Sequence, residues 1–242
     1  NEALCAAVRK TYSFGPTFRA EKSKTRRHLT EFWMLEPEIA FLDLDGTMDL
    51  MEDMICYLVK RILDKRKPEL ATLGRDIAKL EAIKKPFSRI TYREAIEILK
   101  EAKMPVEFGD ELGGDEETVI SQKFSTPVMV HRFPAKIKSF YMKRAPEDPE
   151  LVLGVDMIAP EGYGEIIGGG QREENLSTLK RQIDEFKLPH APYSWYLDLR
   201  RFGSFPHSGF GLGLERTVAW ICGLKHVRET IPFPRLLERV YP

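Results

Sequence analysis

Glycine occupies every second position at Gly209, Gly211 and Gly213, alternating with Phe210, Leu212 and Leu214 in the run from Pro206 to Arg216. Successive side chains of a strand point to opposite faces. A strand here therefore offers an apolar face to a core and bare backbone on the other side. Glycine inside a strand weakens it and marks the close approach of a ligand or of another backbone. The apolar run Thr217 to Gly223 continues from Glu215-Arg216 with helical character. Arg216 thus stands near a helix start, where anions are favoured, and is a candidate phosphate ligand. The alternative is a glycine-rich strand packed on a helix, with Arg216 at its exposed edge.

A second constellation lies near the other end. Phe18-Arg19-Ala20-Glu21 is followed by a basic, polar stretch from Lys22 to Arg27 and a polar, aromatic return, His28-Leu29-Thr30-Glu31-Phe32. This pattern suits a strand, a turn and a second antiparallel strand. Arg19 and Glu21, two apart, share a face. A guanidinium can grip a phosphate bidentately, a carboxylate can accept from an amine or anchor a metal, and Phe32 can stack on a base. Read blandly, the same residues are a solvated cross-strand ion pair of little energetic weight.

Between them, the apolar run Val152 to Ile158 is interrupted by Asp156, and Glu165 precedes Ile166-Ile167 and Gly168-Gly169-Gly170-Gln171-Arg172. Two carboxylates on neighbouring strands suit Mg²⁺, which keeps several waters and binds through one or two carboxylates plus phosphate oxygens. The glycines would let a substrate lie against backbone, with Gln171 and Arg172 pointing in. The competing reading is a glycine-rich bulge beside a surface charge cluster.

These three blocks, in this order, resemble the catalytic domain of class II aminoacyl-tRNA synthetases, in the subgroup for aspartate, asparagine and lysine. Phe18 to Glu21 with His28 to Phe32 is similar to the second signature motif, Gly211 to Arg216 to the third, and Gly164 to Arg172 to the subgroup's metal and amino-acid strand. The resemblance runs from about Thr11 to Arg235. Ser139-Phe140-Tyr141-Met142, Asp156-Met157-Ile158-Ala159-Pro160, Tyr196 to Gly203 and Ile231 to Arg235 fit the asparaginyl branch best. The resemblance implies an α+β fold, an antiparallel β-sheet flanked by helices, with ATP as substrate and Mg²⁺ as cofactor. It implies that Arg19 binds the α-phosphate, Glu21 the adenine side of the nucleotide, and His28 the outer phosphates. Phe32 would stack on adenine, with Arg216 on its opposite face. Asp156 and Glu165 would hold Mg²⁺ beside the nucleotide. Glu36 would meet the substrate α-ammonium, and Gln171 and Arg172 would bind the amino acid, Arg172 at its side-chain end. The implied partners are asparagine and tRNA(Asn), with a homodimer as the assembly. The group that accepts from the amide NH₂ is not identified by the resemblance.

The chain's 242 residues fit one large domain, expected to be the catalytic domain over 1–242, with the family's first motif and anticodon-reading barrel preceding it. Lys plus Arg and Asp plus Glu balance at 37 each, which argues against a general nucleic-acid-coating protein but leaves a local tRNA patch open. Cys5, Cys56 and Cys222 form no metal spacing or disulfide framework, as suits a reducing cytoplasm, and no apolar run reaches membrane-spanning length. Helices are predicted over Leu4–Arg9, Thr47–Asp64, the charged connector Pro68–Lys85, Tyr92–Ala102 capped by Thr91, Asp115–Phe124 and Leu176–Phe186, the last crossing over to Trp195–Leu199. Strands are predicted over Pro127–Phe133, Ser139–Arg144, Leu151–Ile158 and Gly164–Gly168. Ala40-Phe41-Leu42-Asp43-Leu44-Asp45-Gly46-Thr47 also resembles the nucleophile strand of haloacid-dehalogenase-type phosphatases, with Gly109-Asp110 and Asp115 imitating that family's late metal motif, a parallel α/β alternative; on the preferred reading Asp43 to Thr47 is a turn that caps the following helix. An aspartyl enzyme, an adenylating asparagine synthetase-like enzyme and a catalytically silent binding module are further alternatives.

Overall fold

The computed structural model describes residues 1–241 apart from Glu21, Ser23 and Lys24. Helix α1 (Glu2–Val8) leads into a hairpin of β1 (Lys10–Phe18) and β2 (Glu31–Ala40), paired from Lys10↔Ile39 to Phe18↔Glu31. Asp43 caps the long helix α2 (Leu44–Lys65): its Oδ1 accepts from the Gly46 N–H at 2.8 Å, and its carbonyl accepts from the Thr47 hydroxyl at 2.7 Å. That is the capping role, not that of a phosphatase nucleophile. Met48, Met51, Ile55 and Val59 recur at helical spacing along one buried face of α2. The charged connector forms α3 (Lys67–Thr72) and α4 (Ile77–Glu81). After β3 (Ser88–Thr91) comes α5 (Tyr92–Glu101), closed by the reciprocal Thr91–Glu94 capping box its spacing predicts. Then follow α6 (Gly114–Ser121), β4 (Val128–His131), β5 (Arg144–Ala145), β6 (Asp148–Val152), β7 (Gly154–Ala159), β8 (Gly164–Gln171), α7 (Leu176–Glu185), α8 (Ser194–Arg201), β9 (His207–Gly213) and α9 (Leu214–Cys222).

Seven strands form one sheet in the order β1-β2-β9-β8-β7-β4-β3, flanked by helices, which gives the α+β class expected. The sheet departs from expectation at one edge, where β3 and β4 run parallel. The chain leaves β3 through α5 and α6 before returning, and a helical crossover of that kind is what parallel neighbours require. Leu151–Ile158 is not one strand. It breaks at Leu153, because β6 pairs with β5 in a separate ribbon while β7 enters the main sheet. Of the strand expected over Ser139–Arg144 only Arg144 is in a strand, as the first residue of β5; Ser139–Lys143 is a turn, joined to the sheet by the Met142↔Arg172 bridge. Trp195–Leu199 lies within α8.

The sheet's two faces differ in kind. Val155, Met157, Ile167, Phe210 and Leu212 pack with Met48, Met51 and Ile55 of α2 and with Trp220 of α9 in the main core. On the other face, Gly209, Gly211 and Gly213 leave backbone bare, as their alternation predicts. Gly169 sits where β8 crosses β9: a Cβ there would lie 2.4 Å from the Gly209 carbonyl oxygen and 2.4 Å from Phe210 Cβ. Gly15, in the edge strand β1, has nothing within 4 Å of such an atom.

Gly169→Ala is therefore expected to destabilise the fold by about 1–3 kcal/mol through forced overpacking. Gly15→Ala is expected to be neutral or to stabilise by up to about 1 kcal/mol, because glycine costs entropy in a strand. Denaturant midpoints of the two variants check the contrast.

Candidate active site

The bare face forms the floor of a groove with two connected ends that share Arg19, Met34, Glu165 and Gly211. Strand β2 supplies its wall by simple alternation, with Phe32 and Met34 at one end and Met34, Glu36 and Glu38 at the other.

At the first end, Arg19, Arg27, His28, Phe32, Glu215 and Arg216 line the space. The Arg19 backbone N–H donates to the Thr30 carbonyl at 2.9 Å, closing the base of the hairpin, and its guanidinium lies 5.5 Å from the Phe32 ring centroid. The His28 ring is hydrogen-bonded to Thr25 Oγ1. Arg216, in the first turn of α9, donates from Nη1 to the Glu165 carbonyl at 3.0 Å and to Glu165 Oε2 at 3.2 Å, and from Nε to the Arg27 carbonyl at 3.3 Å. Glu215 beside it accepts the Trp33 N–H on both oxygens at 3.0 and 3.1 Å, tying β2 to α9. The expected phosphate and adenine residues Arg19, His28, Phe32 and Arg216 thus lie together. Glu21 lies outside the described residues.

Between the ends, the carboxylates of Asp156 and Glu165 converge over Gly168, where an added Cβ would lie 2.4 Å from Glu165 Oε1 and 3.4 Å from Asp156 Oδ1. A register shift at Met157/Ile158 pairs Met157 with Ile167 and Ile158 with Glu165, which leaves Ile166 as the extra residue. That bulge turns Glu165 onto the groove face, as bulges beside functional sites do. Burial pushes the Asp156 carboxyl up to about 6; the Lys138 ammonium, 2.5 Å away, acts against the rise and the Glu165 charge adds to it. Behind Glu165, Glu117 of α6 accepts from the Glu165 N–H at 3.0 Å and from Arg27 Nη1 at 2.8 Å. Burial, with the Glu165 charge, raises the Glu117 carboxyl to about 7. Among the described residues, no three His, Cys, Asp or Glu side chains gather to cage a metal.

The second end, a cavity of about 640 Å³, is lined by Glu2, Glu36, Glu38, Ser139, Tyr141 and Arg172 among others. Arg172 and Glu38 form a two-pronged ion pair, Nε to Oε1 and Nη2 to Oε2, both at 3.0 Å. Glu36 accepts from the Ser13 hydroxyl at 3.2 Å. Gln171, expected to point in, does not line the cavity: it is buried, one residue out of phase with Arg172 on the alternating strand.

The family model for class II tRNA synthetases (D, K and N) matches residues 1–237. The chain belongs to that family. It is 62% identical over 253 residues to an asparagine–tRNA ligase of Sorangium cellulosum (strain So ce56) and 61% identical over 242 residues to that of Desulforamulus reducens (strain ATCC BAA-1160 / DSM 100696 / MI-1). All of this chain is covered in both cases, against 57% and 56% of those proteins. The chain therefore spans about half the length of the curated relatives it matches. The crystal structure of asparaginyl-tRNA synthetase from Pyrococcus horikoshii complexed with asparaginyl-adenylate superposes with a TM-score of 0.97 at 51% identity, covering 100% of this chain and 56% of that one.

Four groups of this class II site escaped the sequence reading. Glu38 was legible: Phe32, Met34, Glu36 and Glu38 share the parity of one strand face. Lys138, Arg27 and Glu117 carry no such signal, since their place follows from how turns and α6 dock. The far wall is anchored by Glu2, which accepts from Tyr196 Oη at 2.8 Å and Arg200 Nη2 at 2.7 Å and meets His207 Nε2 at 2.8 Å. Burial alone would raise its carboxyl, but His207, Arg200 and Tyr196 outweigh that and bring it down to about 2.

A carboxyl lowered on folding stabilises the native state above its unfolded value of 4.5, and that contribution is lost as pH falls toward about 2. Glu2→Gln is therefore expected to cost on the order of 3 kcal/mol at pH 7 and much less near pH 2. Paired denaturation curves of the two proteins across that range measure the closing gap.

Proposed function

We propose that this chain is the catalytic part of an asparagine–tRNA ligase, which activates asparagine with ATP to asparaginyl-adenylate and passes the asparaginyl group to the terminal ribose of tRNA(Asn). The observation that carries the reading is the Arg172–Glu38 pair at one end of the groove that holds Arg19, Phe32 and Arg216 at the other. A carboxamide offers an acceptor oxygen to Arg172 and an NH₂ donor to Glu38. An aspartate carboxylate in the same place would set a negative charge against Glu38, which costs affinity. High identity to asparagine–tRNA ligases supports the same choice.

In the reaction, a carboxylate oxygen of asparagine attacks the α-phosphorus, the bond from that phosphorus to the bridging oxygen breaks, and pyrophosphate leaves with the electron pair. The nucleophile is already ionised, so no general base is needed. Arg19 binds the α-phosphate and stabilises the charge that develops there. Arg216, held by Glu165 and the Arg27 carbonyl, is positioned before the substrate arrives. His28 meets the outer phosphates, Phe32 stacks on adenine, and Glu36 receives the α-ammonium. Asp156 and Glu165 fit Mg²⁺: two carboxylates over a bare glycine, with no third acidic ligand gathered there among the described residues, match an ion that takes its remaining ligands from water and phosphate. Bound there, it would neutralise phosphate charge.

The proposed assembly is a homodimer in the cytoplasm. Tyr12, Phe14 and Phe18 on the outer face of β1 stay exposed at 70%, 54% and 67%, an apolar stripe that suits burial by a second copy. Among the described residues, no helix is long and apolar enough to cross a membrane.

Amino-acid-dependent ATP–pyrophosphate exchange in the full-length protein tests the reading, with asparagine, aspartate and lysine in parallel. Exchange with asparagine alone is expected, and exchange with aspartate alone overturns the specificity. Glu38→Gln is expected to lower kcat/KM for asparagine by about tenfold or more, the scale of a charged hydrogen bond, and to narrow the preference over aspartate.

A further inference from the structure

The turn Ser139–Lys143 contains Ser139-Phe140-Tyr141-Met142, one of the segments that resemble the asparaginyl branch, and it has no part in the chemistry above. It lies against the amide-binding end: Ser139, Tyr141 and Met142 line the cavity. The Tyr141 ring centroid is 5.5 Å from the Arg172 guanidinium carbon, and Met142 Sδ accepts from Arg172 Nη1 at 3.7 Å. Backbone bonds tie the end of the turn, from the Lys143 N–H to the Gln171 carbonyl at 3.0 Å and from the Leu153 N–H to the Lys143 carbonyl at 2.8 Å, and one side chain holds its middle from behind. Gln182, on α7 and 1% exposed, donates from Nε2 to the Phe140 carbonyl and, at 2.9 Å, to the Met142 carbonyl. The Glu173 N–H donates to the intervening Tyr141 carbonyl at 2.9 Å. The Phe140 ring is wedged between Tyr193 and Tyr196, 5.0 and 6.2 Å between centroids.

The Gln182 side chain is committed to this task. Its Oε1 is buried without a hydrogen-bond partner among the described residues. A buried orphan acceptor is costly, so a donor with no acceptor to satisfy would suit mere packing better than an amide does. The amide's donor end, bonded to the two alternate carbonyls of Phe140 and Met142 in one turn, is the part with a function. Apolar packing of α7 is supplied independently by Leu179 and Ile183, which bury against Tyr196 and Leu197 of α8.

We propose that Gln182 is a positioning residue for amino-acid selection: by clamping the turn at Phe140 and Met142 it fixes Tyr141 and Met142 against Arg172, and so sets where the amide-binding guanidinium sits. This rests on the asparagine reading of the same groove. Gln182 touches neither end of the groove, and the nucleotide end shares no residue with the turn.

The test is steady-state ATP–pyrophosphate exchange by the full-length Gln182→Met protein, with asparagine and ATP varied separately and melting temperature measured on the same preparation. Methionine keeps the volume and removes both donors. The expected result is a rise of about tenfold in KM for asparagine, with KM for ATP as in the wild type. Unchanged KM values with a lowered melting temperature overturn the proposal, as does an equal rise in both. If Gln182→Met does not fold, Gln182→Asn, whose amide falls one methylene short, carries the same expectation at smaller amplitude, and an unchanged asparagine KM there overturns it. A wild-type protein that exchanges with aspartate and not asparagine defeats the functional reading alone; the selective effect of Gln182 is then read on KM for aspartate.

Discussion

The floor of the groove is backbone, and the side chains of the site are arranged around that fact. Glycines of β8 and β9 face each other at Gly168↔Gly211 and Gly170↔Gly209. The room they leave is taken by groups from neighbouring strands: an added Cβ would lie 2.0 Å from Glu38 Oε2 at Gly209 and 2.4 Å from Met34 Cε at Gly211. Each glycine in a strand costs about 0.5–1 kcal/mol relative to alanine. Phe210 and Leu212, one step out of phase, bury against the core at about 1.5–3 kcal/mol each. One face of β9 therefore holds the fold while the other makes space for carboxylates to reach across it.

Those charges are joined from one wall to the other. Arg27 links Glu117, which receives the Glu165 N–H, and Glu165 holds Arg216; Lys138 meets Asp156; Arg172 meets Glu38; Glu2 meets Arg200 and His207. Partly buried pairs recover their desolvation cost only with good geometry and full hydrogen bonding. They are poor devices for stability and better ones for holding dipoles in fixed directions, which is what stabilising charge at a phosphorus requires. The raised carboxyls of Asp156 and Glu117 record the same crowding, each pushed up by burial and by the Glu165 charge.

Legibility followed the range of the interactions. The hairpin, the capping of α2 by Asp43, the Thr91 box and the bare face of β9 were readable because each rests on neighbours in sequence. So was the grouping of Arg19, Phe32, Glu36 and Arg216 along one groove, and the period of two that joins Phe32 to Glu36 extends to Glu38. Gln171 was misplaced by one residue of strand phase. Most of the strand predicted over Ser139–Arg144, up to Lys143, is a turn because its carbonyls bond to Gln182, Glu173 and Leu153 instead of forming a ladder with a neighbouring strand. The bulge at Ile166 was invisible, since apolar residues at both Ile166 and Ile167 read as a buried strand of either phase, and only pairing with β7 decides which way Glu165 faces.

The family's three amino acids differ most in side-chain charge, and on the proposed reading the far end of the groove is matched to the neutral one. Arg172 alone would favour aspartate and Glu38 alone would favour lysine. Paired two-pronged, they present a dipole whose donors and acceptors sit side by side, as do those of a carboxamide. A charged side chain gains from one partner and loses against the other. On the proposed reading, selectivity is then a matter of alignment more than of charge, because a dipole discriminates only while its direction is held. That places the burden on what surrounds the pair: the Gly209 backbone beneath Glu38, and the Tyr141 ring and Met142 sulfur against Arg172.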